Sequence, residues 1–400
     1  MKVTDLDVVV VGAGIGGMST ALLLARAGAS VTLLEQAVAP TAAGAGILLQ
    51  PNGLAVLSGL GLIDPLEEAG HRVRASVVHG ADGSPVATLA VPDFGAGLDH
   101  LLAVGRPLLY EVLSTAVSKT PAIDCRFGAT AKSARPDGSV DLEWLGRRST
   151  IEADLVVGAD GIGSTVREGG EFGVRSRPVG TYLRALVPRR GADIVDLEGE
   201  YWTSLGLFGG APVDAATCYF YCSLTAPPVA AAMAAEDLAA LRAAWADVLP
   251  LAGELFGRVG SFSDLLVNRA DRIDCRSWHD GNLVLLGDAA HAMAPTLGQG
   301  ANSALVDAAV LTASLAASDA VPAALERYTQ RRRRPVVRVQ DRSERLARLS
   351  RTNNRALTAV RDAGFRALER LPGSASRLVR GAQQEDPAEL VDFVAKLASG

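Results

Sequence analysis

The amino-acid sequence predicts an α/β protein in which a Rossmann-like, doubly wound domain is interleaved with a mixed-sheet domain and followed by C-terminal helices. Three observations predict it. The chain opens with an apolar strand, a glycine-rich turn and a helix, VVVVGAGIGGMSTALLLARAGASVTLLEQ over residues 8–36. Two later glycine-rich turns also follow apolar strands, DLVVGADGIGSTVR at 154–167 and NLVLLGDAAHAMAPTLGQGANSALVDAAVL at 282–311. Between them, residues 180–275 switch to short strand patterns punctuated by Pro212, Pro227 and Pro228.

The elements follow in order. Residues 6–11 read as a buried strand, 15–28 as a helix and 30–35 as a second strand, a βαβ start. A glycine-rich loop covers 42–47, and Pro51-Asn52 opens a helix running to about 60. Pro107 suits a first helical turn, with LLYEVLSTAV continuing it. Residues 122–127 and 139–145 read as short strands, and 154–158 returns to the buried-strand pattern. Strands are expected at 181–187, 202–208, 217–224 and 264–269, with a helix at 236–247, and residues 65–100 are open to contributing strands. A core strand after 283 leads to a helix near 299–317, and the tail from 322 is helical. The first domain is therefore discontinuous, spanning 1–70, 101–179 and 276–325. The second takes 71–100 and 180–275, and 326–400 form a C-terminal helical region.

Four hundred residues suit two packed domains, and 48% hydrophobic with 21% charged residues is a globular composition. A formal charge of −5 argues against nucleic acid as the main partner. No segment offers about 18 clean apolar residues, and MKVTDLDVVVVGAG lacks a secretory cleavage pattern, so a cytoplasmic protein without integral membrane association is expected. Cys125, Cys218, Cys222 and Cys275 lack metal-ligand spacing; Cys218 and Cys222 share one strand face and read as buried small hydrophobes. No metal site is expected. His291 lies among small residues without a second histidine at metal spacing and reads as structural; none of His71, His79, His100 and His279 is placed for catalysis either.

Gly12, Gly14 and Gly17 form GxGxxG between strand and helix. The first permits the tight turn, the second lets backbone approach a pyrophosphate, and the third allows close helix packing. Glu35, ending the second strand, offers a carboxylate to the ribose of an adenosine, and Ile15, Gly16 and Gln36 complete the candidate set. The later segments turn a dinucleotide into FAD. Asp160 follows a buried strand, and Asp288 can accept from a ribityl hydroxyl; read alone, either is a helix cap. Pro295 fixes a turn, Gly298 and Gly300 let backbone pass beside a flat ring, and the helix beginning there points its positive end at the flavin.

These segments, together with His291, Pro295 and Gly298-Gln299-Gly300, make the chain resemble the class A FAD-dependent aromatic hydroxylases, the superfamily of p-hydroxybenzoate and salicylate hydroxylases. The resemblance covers residues 5–345, weakly across 180–270. It implies that Arg106, otherwise an exposed helix-start residue, contacts the ribityl and pyrophosphate region. It implies that Gly44-Ala45-Gly46-Ile47 forms a flavin-edge loop, and that Ala301 and Asn302 lie near the isoalloxazine. It implies bound FAD, with NAD(P)H and O2 as co-substrates, and hydroxylation of an aromatic, phenolic or polyketide-like small molecule through a flavin C4a-hydroperoxide. A flavoprotein oxidase or dehydrogenase is the alternative, and a non-catalytic flavin-binding protein a further one.

No side chain is assigned a catalytic role, since the flavin carries the chemistry, with Pro295 and Leu297 flanking it. Met293, Pro295 and Thr296 are expected beside substrate, and Tyr182, Trp202, Tyr219 and Tyr221 are aromatic candidates that core packing also explains. Arg184, Arg258 and Arg269 read as single structural or surface residues, which favours a larger, mostly apolar substrate. Residues 327–355 contain eleven arginines, of which Arg331, Arg334, Arg338, Arg342 and Arg345 form one stripe, read as a solvated or interdomain face. A monomer or homodimer is expected. Because GxGxxG and Glu35 address an adenosine half that FMN lacks, denaturing the purified protein should release FAD; chromatography showing FMN alone would overturn the assignment.

Overall fold

The computed structural model describes residues 2–39, 44–80, 82–189, 197–352, 354–371 and 373–397. A six-stranded sheet runs in the order His279–Asp280, Leu283–Leu285, Leu155–Gly158, Asp7–Val11, Ser30–Glu35, Ile123–Phe127. All its pairs are parallel except the first. Val8 to Val11 and Leu155 to Val157 are buried without alternation, as strands covered on both faces must be. Helix Ile15–Arg26 joins the first two parallel strands and packs on helix Gly300–Ala316. The strands at 7–11, 155–158 and 283–285 are thus direct neighbours, and their three glycine-rich turns leave the same end of the sheet.

The second sheet has seven strands in the order Leu266–Asp274, Arg175–Pro188, Thr217–Ser223, Gly206–Pro212, Gly199–Thr203, Ala75–His79, Pro85–Ala90. Residues 75–90 therefore do contribute strands to it. Cys218, Phe220 and Cys222 pack with Leu183, Phe208, Leu241 and Trp245 beneath helices Pro227–Ala234, Leu238–Ala246 and Pro250–Phe256. Burial pushes the Cys218 thiol up to about 12, as expected of an inert packed sulfur. The alternation places Tyr219 and Tyr221 on the opposite face.

Several expected elements are corrected. The strand expected at 202–208 is two strands of a hairpin. The Thr203 hydroxyl accepts from the Leu205 amide and donates to the Gly206 carbonyl, and Gly206 has φ +107°. The reversal is made by the backbone of Gly206, with Thr203 and Ser204 as ordinary turn polars. The strand expected at 264–269 starts later and runs Leu266–Asp274. Gly46 and Ile47, expected in a loop, begin strand Gly46–Leu49, which pairs with Leu101–Gly105; residues 42 and 43 of that loop lie outside the described residues. The strand at Ser139–Trp144 is flanked by Thr130–Ala134 and Arg147–Glu152, whose polar outer faces hid their alternation.

Helix Val321–Ser350 exposes Arg331, Arg334, Arg338, Arg342 and Arg345, and buries Val336, Val339, Gln340, Ser343 and Ala347 on its other side. The arginine stripe is an exposed face on which Arg331 pairs with Glu385 and Arg342 donates to the Gly381 carbonyl, fastening the C-terminal segment. Arg332 points inward. Its Nε donates to Asp307 Oδ1 at 2.7 Å, with both side chains fully buried. His291 completes the cluster, with Nε2 2.5 Å from Asp307 Oδ2 and its ring 4.9 Å from that of Trp278. The Gly287 amide also donates to Asp307 at 3.0 Å. This confirms a structural His291 and reveals Asp307, which shows in the sequence only as a polar break in an apolar helix. No helix among the described residues is long and apolar enough to cross a membrane.

Burial alone would raise the Asp307 carboxyl, but His291 and Arg332 hold it down at about 2. Replacing Asp307 with Asn leaves the buried Arg332 only the more distant carboxylate of Glu385, 3.8 Å from Nη1, and should cost on the order of 3–5 kcal/mol in denaturant unfolding. The folded value lies below the ordinary 3.8, so the stabilisation is complete above that pH and is lost as pH falls through about 2. Thermal midpoints of wild type and Asp307→Asn should converge over that interval.

Candidate functional site

The site forms where the three glycine-rich turns meet. Gly12 has φ +98°, and a Cβ there would lie 2.6 Å from the Ala159 carbonyl oxygen, so the first two turns touch backbone to backbone. A Cβ at Gly17 would strike the Gly12 carbonyl at 1.8 Å, which explains the third glycine of the motif. Around Gly14, Gly161 and Gly163 the space is open instead. Gly16 faces away, against Leu286 and Ala304, and Ile15 is buried in the core. Helix Ile15–Arg26 begins at Gly14 without a side-chain cap, so its first amides remain free for an anion.

The Glu35 carboxylate braces the turn: Ala13 N donates to Oε2 at 2.9 Å and Ala37 N to Oε1 at 2.8 Å. One lone pair on each oxygen remains for ribose. Gln36 is exposed. In the second turn, Val166 N donates to Asp160 Oδ2 at 3.2 Å, while Oδ1 is buried without a partner. Burial raises the Asp160 pKa, against hydrogen bonds from Ser164 and Val166. The cap of helix Thr165–Glu168 is Ser164, whose Oγ accepts from Arg167 N. Arg167 in turn donates to the Ala289 carbonyl at 2.9 Å, tying the second turn to the third.

In the third turn, Asp288 is exposed at the start of a short helix, and the 3-10 turn Pro295–Leu297 ends at Gly298, which has φ +61°. Helix Gly300–Ala316 begins without a side-chain cap, and Ala301 lies in its first turn. Asn302 is committed to the scaffold: its Oδ1 accepts from Gln50 N at 2.9 Å, and its Nδ2 donates to the carbonyls of Leu48 and Gly298. A buried amide network extends this. Gln50 Nε2 donates to the Leu297 carbonyl, Gln299 Nε2 donates to Gln50 Oε1 at 2.7 Å, and Asn52 Nδ2 donates to Gln299 Oε1 and to the Gln383 carbonyl. Gln50, Gln299 and Gln383 carry no sequence signal of this role, since they meet only through folding.

Arg106 opens helix Arg106–Ser118, with its stem against Gly44. Its guanidinium has no hydrogen-bond or ion-pair partner among the described residues. The residue is exposed, yet packing around its stem, and then the nearby Arg184, lower its pKa, against Asp288 and Tyr219. An unpaired guanidinium, an orphaned carboxylate oxygen on Asp160, two uncapped helix N-termini and open space over three glycines together fit an anionic dinucleotide that places a polar chain across all three turns.

The aromatic candidates lie on the face of the second sheet opposite its three helices. Tyr219 packs on Gly46, where a Cβ would lie 2.4 Å from the ring, and its ring is 5.5 Å from that of Tyr221. Burial raises Tyr219 to about 12, partly offset by Arg184. Tyr182 is buried with its hydroxyl toward that of Thr296. Pro295 is exposed, Leu297 half-buried, and Met293 is packed in the main core. The Trp202 ring is enclosed by Phe365 and Arg361, leaving its Nε1 to donate to Glu200 Oε2 at 3.1 Å. Glu200, which carries no signal in the sequence, and Arg184, expected as a structural or surface residue, are polar members of this face.

Fold and site define a dinucleotide-binding α/β protein. The chain matches the FAD binding domain family over residues 5–343. It is 36% identical over 362 residues to the 3-amino-4-hydroxybenzoate 2-monooxygenase of Streptomyces platensis, covering 84% of this chain and 86% of that one. It is 30% identical over 335 residues to the aurachin C monooxygenase/isomerase of Stigmatella aurantiaca, covering 81% and 84%. Among solved structures, a variant of 2-methyl-3-hydroxypyridine-5-carboxylic acid oxygenase matches with TM-score 0.76 at 27% identity, over 92% of this chain and 98% of that one. The chain belongs to the family of FAD-dependent aromatic hydroxylases; it is a monooxygenase of that type, and FAD is its cofactor.

Replacing Arg106 with Ala removes a charged donor that has no other partner among the described residues. Titration of FAD into apo-protein should show affinity reduced by about 1.5–3 kcal/mol. Unchanged affinity would place Arg106 away from the cofactor.

Proposed function

We propose that the protein is an NAD(P)H-dependent FAD monooxygenase that hydroxylates a phenolic ring held between the turn Pro295–Leu297 and the face of the second sheet that carries Tyr182 and Tyr219. The observation that carries this is the convergence there of Tyr182 with Thr296, and of Tyr219 with Gly46. FAD, when bound, supplies the redox chemistry that lets O2 donate one oxygen atom to the ring. The chain's own residues bind, orient and exclude water. In this reading Gly12, Gly14 and Glu35 take the adenosine diphosphate half, while Arg106, Asp160 and Asp288 take the pyrophosphate and ribityl chain. The segment from Pro295 to Asn302 backs the ring system. Aromatic side chains sandwich the substrate and hold its reacting carbon toward the turn, which matters because misplacement by about 1 Å costs on the order of 100-fold in rate.

The relatives support a phenolic or related hydroxylated ring: the name of one carries 3-amino-4-hydroxybenzoate, and that of another 2-methyl-3-hydroxypyridine-5-carboxylic acid. Within the same proposal, the cofactor domain comprises 1–70, 101–179 and 276–325 and the substrate domain 71–100 and 180–275. Residues 326–400 form the C-terminal helical region, and the enzyme works in the cytoplasm as a monomer or homodimer.

The test is turnover of a phenolic panel with NADH or NADPH under labelled O2, read by product mass. One labelled oxygen per product, with substrate-stimulated consumption of reduced nicotinamide, is expected. Oxidised product formed without label would instead establish a dehydrogenase or oxidase.

A further inference from the structure

Glu200 sits on strand Gly199–Thr203, on the side opposite Tyr201, which stacks on His79 with ring centroids 4.3 Å apart. Across the neighbouring strand, Gly209 pairs with both Glu200 and Tyr221. A Cβ at Gly209 would lie 2.8 Å from the Tyr221 hydroxyl, so the missing side chain is what lets that hydroxyl reach over the strand. It donates to Glu200 Oε1 at 2.8 Å, while Trp202 Nε1 donates to Oε2 at 3.1 Å. The carboxyl is thus gripped from two strands in one orientation.

Two donors leave about half of a carboxylate's acceptor positions open. No cation pairs with Glu200 among the described residues. Burial raises its pKa, against the hydrogen bonds from Trp202 and Tyr221, and Tyr182, whose hydroxyl faces Thr296, lies within its field. A half-buried carboxyl with open acceptor positions and no counter-charge is costly unless a donor arrives. Arg184 stands opposite Tyr221 on the next strand, with its side chain beside Tyr219 and engaged with Asn268.

We propose that Glu200, oriented by Tyr221 and Trp202 across Gly209, determines substrate specificity by accepting a hydrogen bond from an N–H or O–H donor on the aromatic ring. It favours arylamines, ring N–H heterocycles and phenols at that end of the cleft, and repels a carboxylate placed there. This rests on the monooxygenase reading above.

The test compares holoenzymes of wild type, Glu200→Gln and Glu200→Leu. Binding of 2-aminophenol and of salicylate is followed by the change in flavin absorbance, and KM and kcat by nicotinamide consumption. FAD content and thermal midpoint report folding. Wild type should prefer 2-aminophenol; Glu200→Leu should lose about tenfold or more in its affinity, mostly in KM. Glu200→Gln keeps the shape and two-point grip but removes the charge, and should bind salicylate more tightly than wild type does. Should Glu200→Leu fail to retain FAD, the salicylate gain in Glu200→Gln decides alone. Variants that keep the wild-type preference within about twofold overturn the inference and leave the monooxygenase reading standing. A wild-type flavin that responds to neither ligand, nor to any other phenol or arylamine, overturns both.

Discussion

The parallel pairing of three strands drawn from distant parts of the chain, Asp7–Val11 with Leu155–Gly158 and the latter with Leu283–Leu285, is the constraint around which the molecule is arranged. Parallel neighbours cannot be joined by a tight turn, so everything between them must be built as excursions. Five strands of the second sheet and its helices fill the excursion between 158 and 283; the small antiparallel sheets and the other two strands of the second sheet, at 75–79 and 85–90, come from the one before 155. The pairing also sends all three glycine-rich turns off one end of the sheet. There Gly12 meets Ala159 at a distance no side chain would tolerate, and the helix N-termini gather partial positive charge in one place.

A second layer of interactions holds the third turn in position. Asp307 accepts from Arg332, His291 and the Gly287 amide inside a fully dry region, so helix Gly300–Ala316, the long C-terminal helix and the turn after strand Leu283–Leu285 are locked by one carboxylate. Such a cluster is costly to assemble and more costly to break, which favours a single arrangement. The amides of Gln50, Asn52, Gln299, Asn302 and Gln383 do the same for the segment 297–302 with neutral groups. At the far edge of the second sheet, Arg177, Arg272 and Arg348 gather on Glu344, holding its carboxyl down at about 2 through the Arg177 contact first. The C-terminal helix is thereby fastened to both sheets.

The second sheet divides its labour by face. One side is closed by three short helices over Phe208, Phe220, Trp245 and Phe256, and supplies rigidity. The other keeps Tyr182, Tyr219, Tyr221, Glu200 and Arg184, a mixture of flat rings and oriented polar groups. Glu200, Gly209, Tyr221 and Arg184 follow one another across four strands, so this face carries a carboxylate and a guanidinium at the two ends of one cross-strand row.

The sequence by itself determined the cofactor fold. GxGxxG, Glu35, Asp160 and Gly287-Asp288 are legible because a dinucleotide imposes fixed spacings on local strand–turn–helix units, and local units are written in contiguous residues. The continuous apolar runs marked the parallel strands for the same reason. The two tyrosines were placed correctly on one face by alternation alone. What the tertiary structure decided is what depends on partners far away in the chain: the hairpin at Gly206, the dry charge on Asp307, the amide network through Gln50 and Gln383, and above all Glu200. An isolated glutamate in a strand resembles any solvent-facing residue. It becomes a poised acceptor only when Gly209, on the next strand, leaves room for Tyr221 to reach it, and no pattern along one segment can report a gap in another.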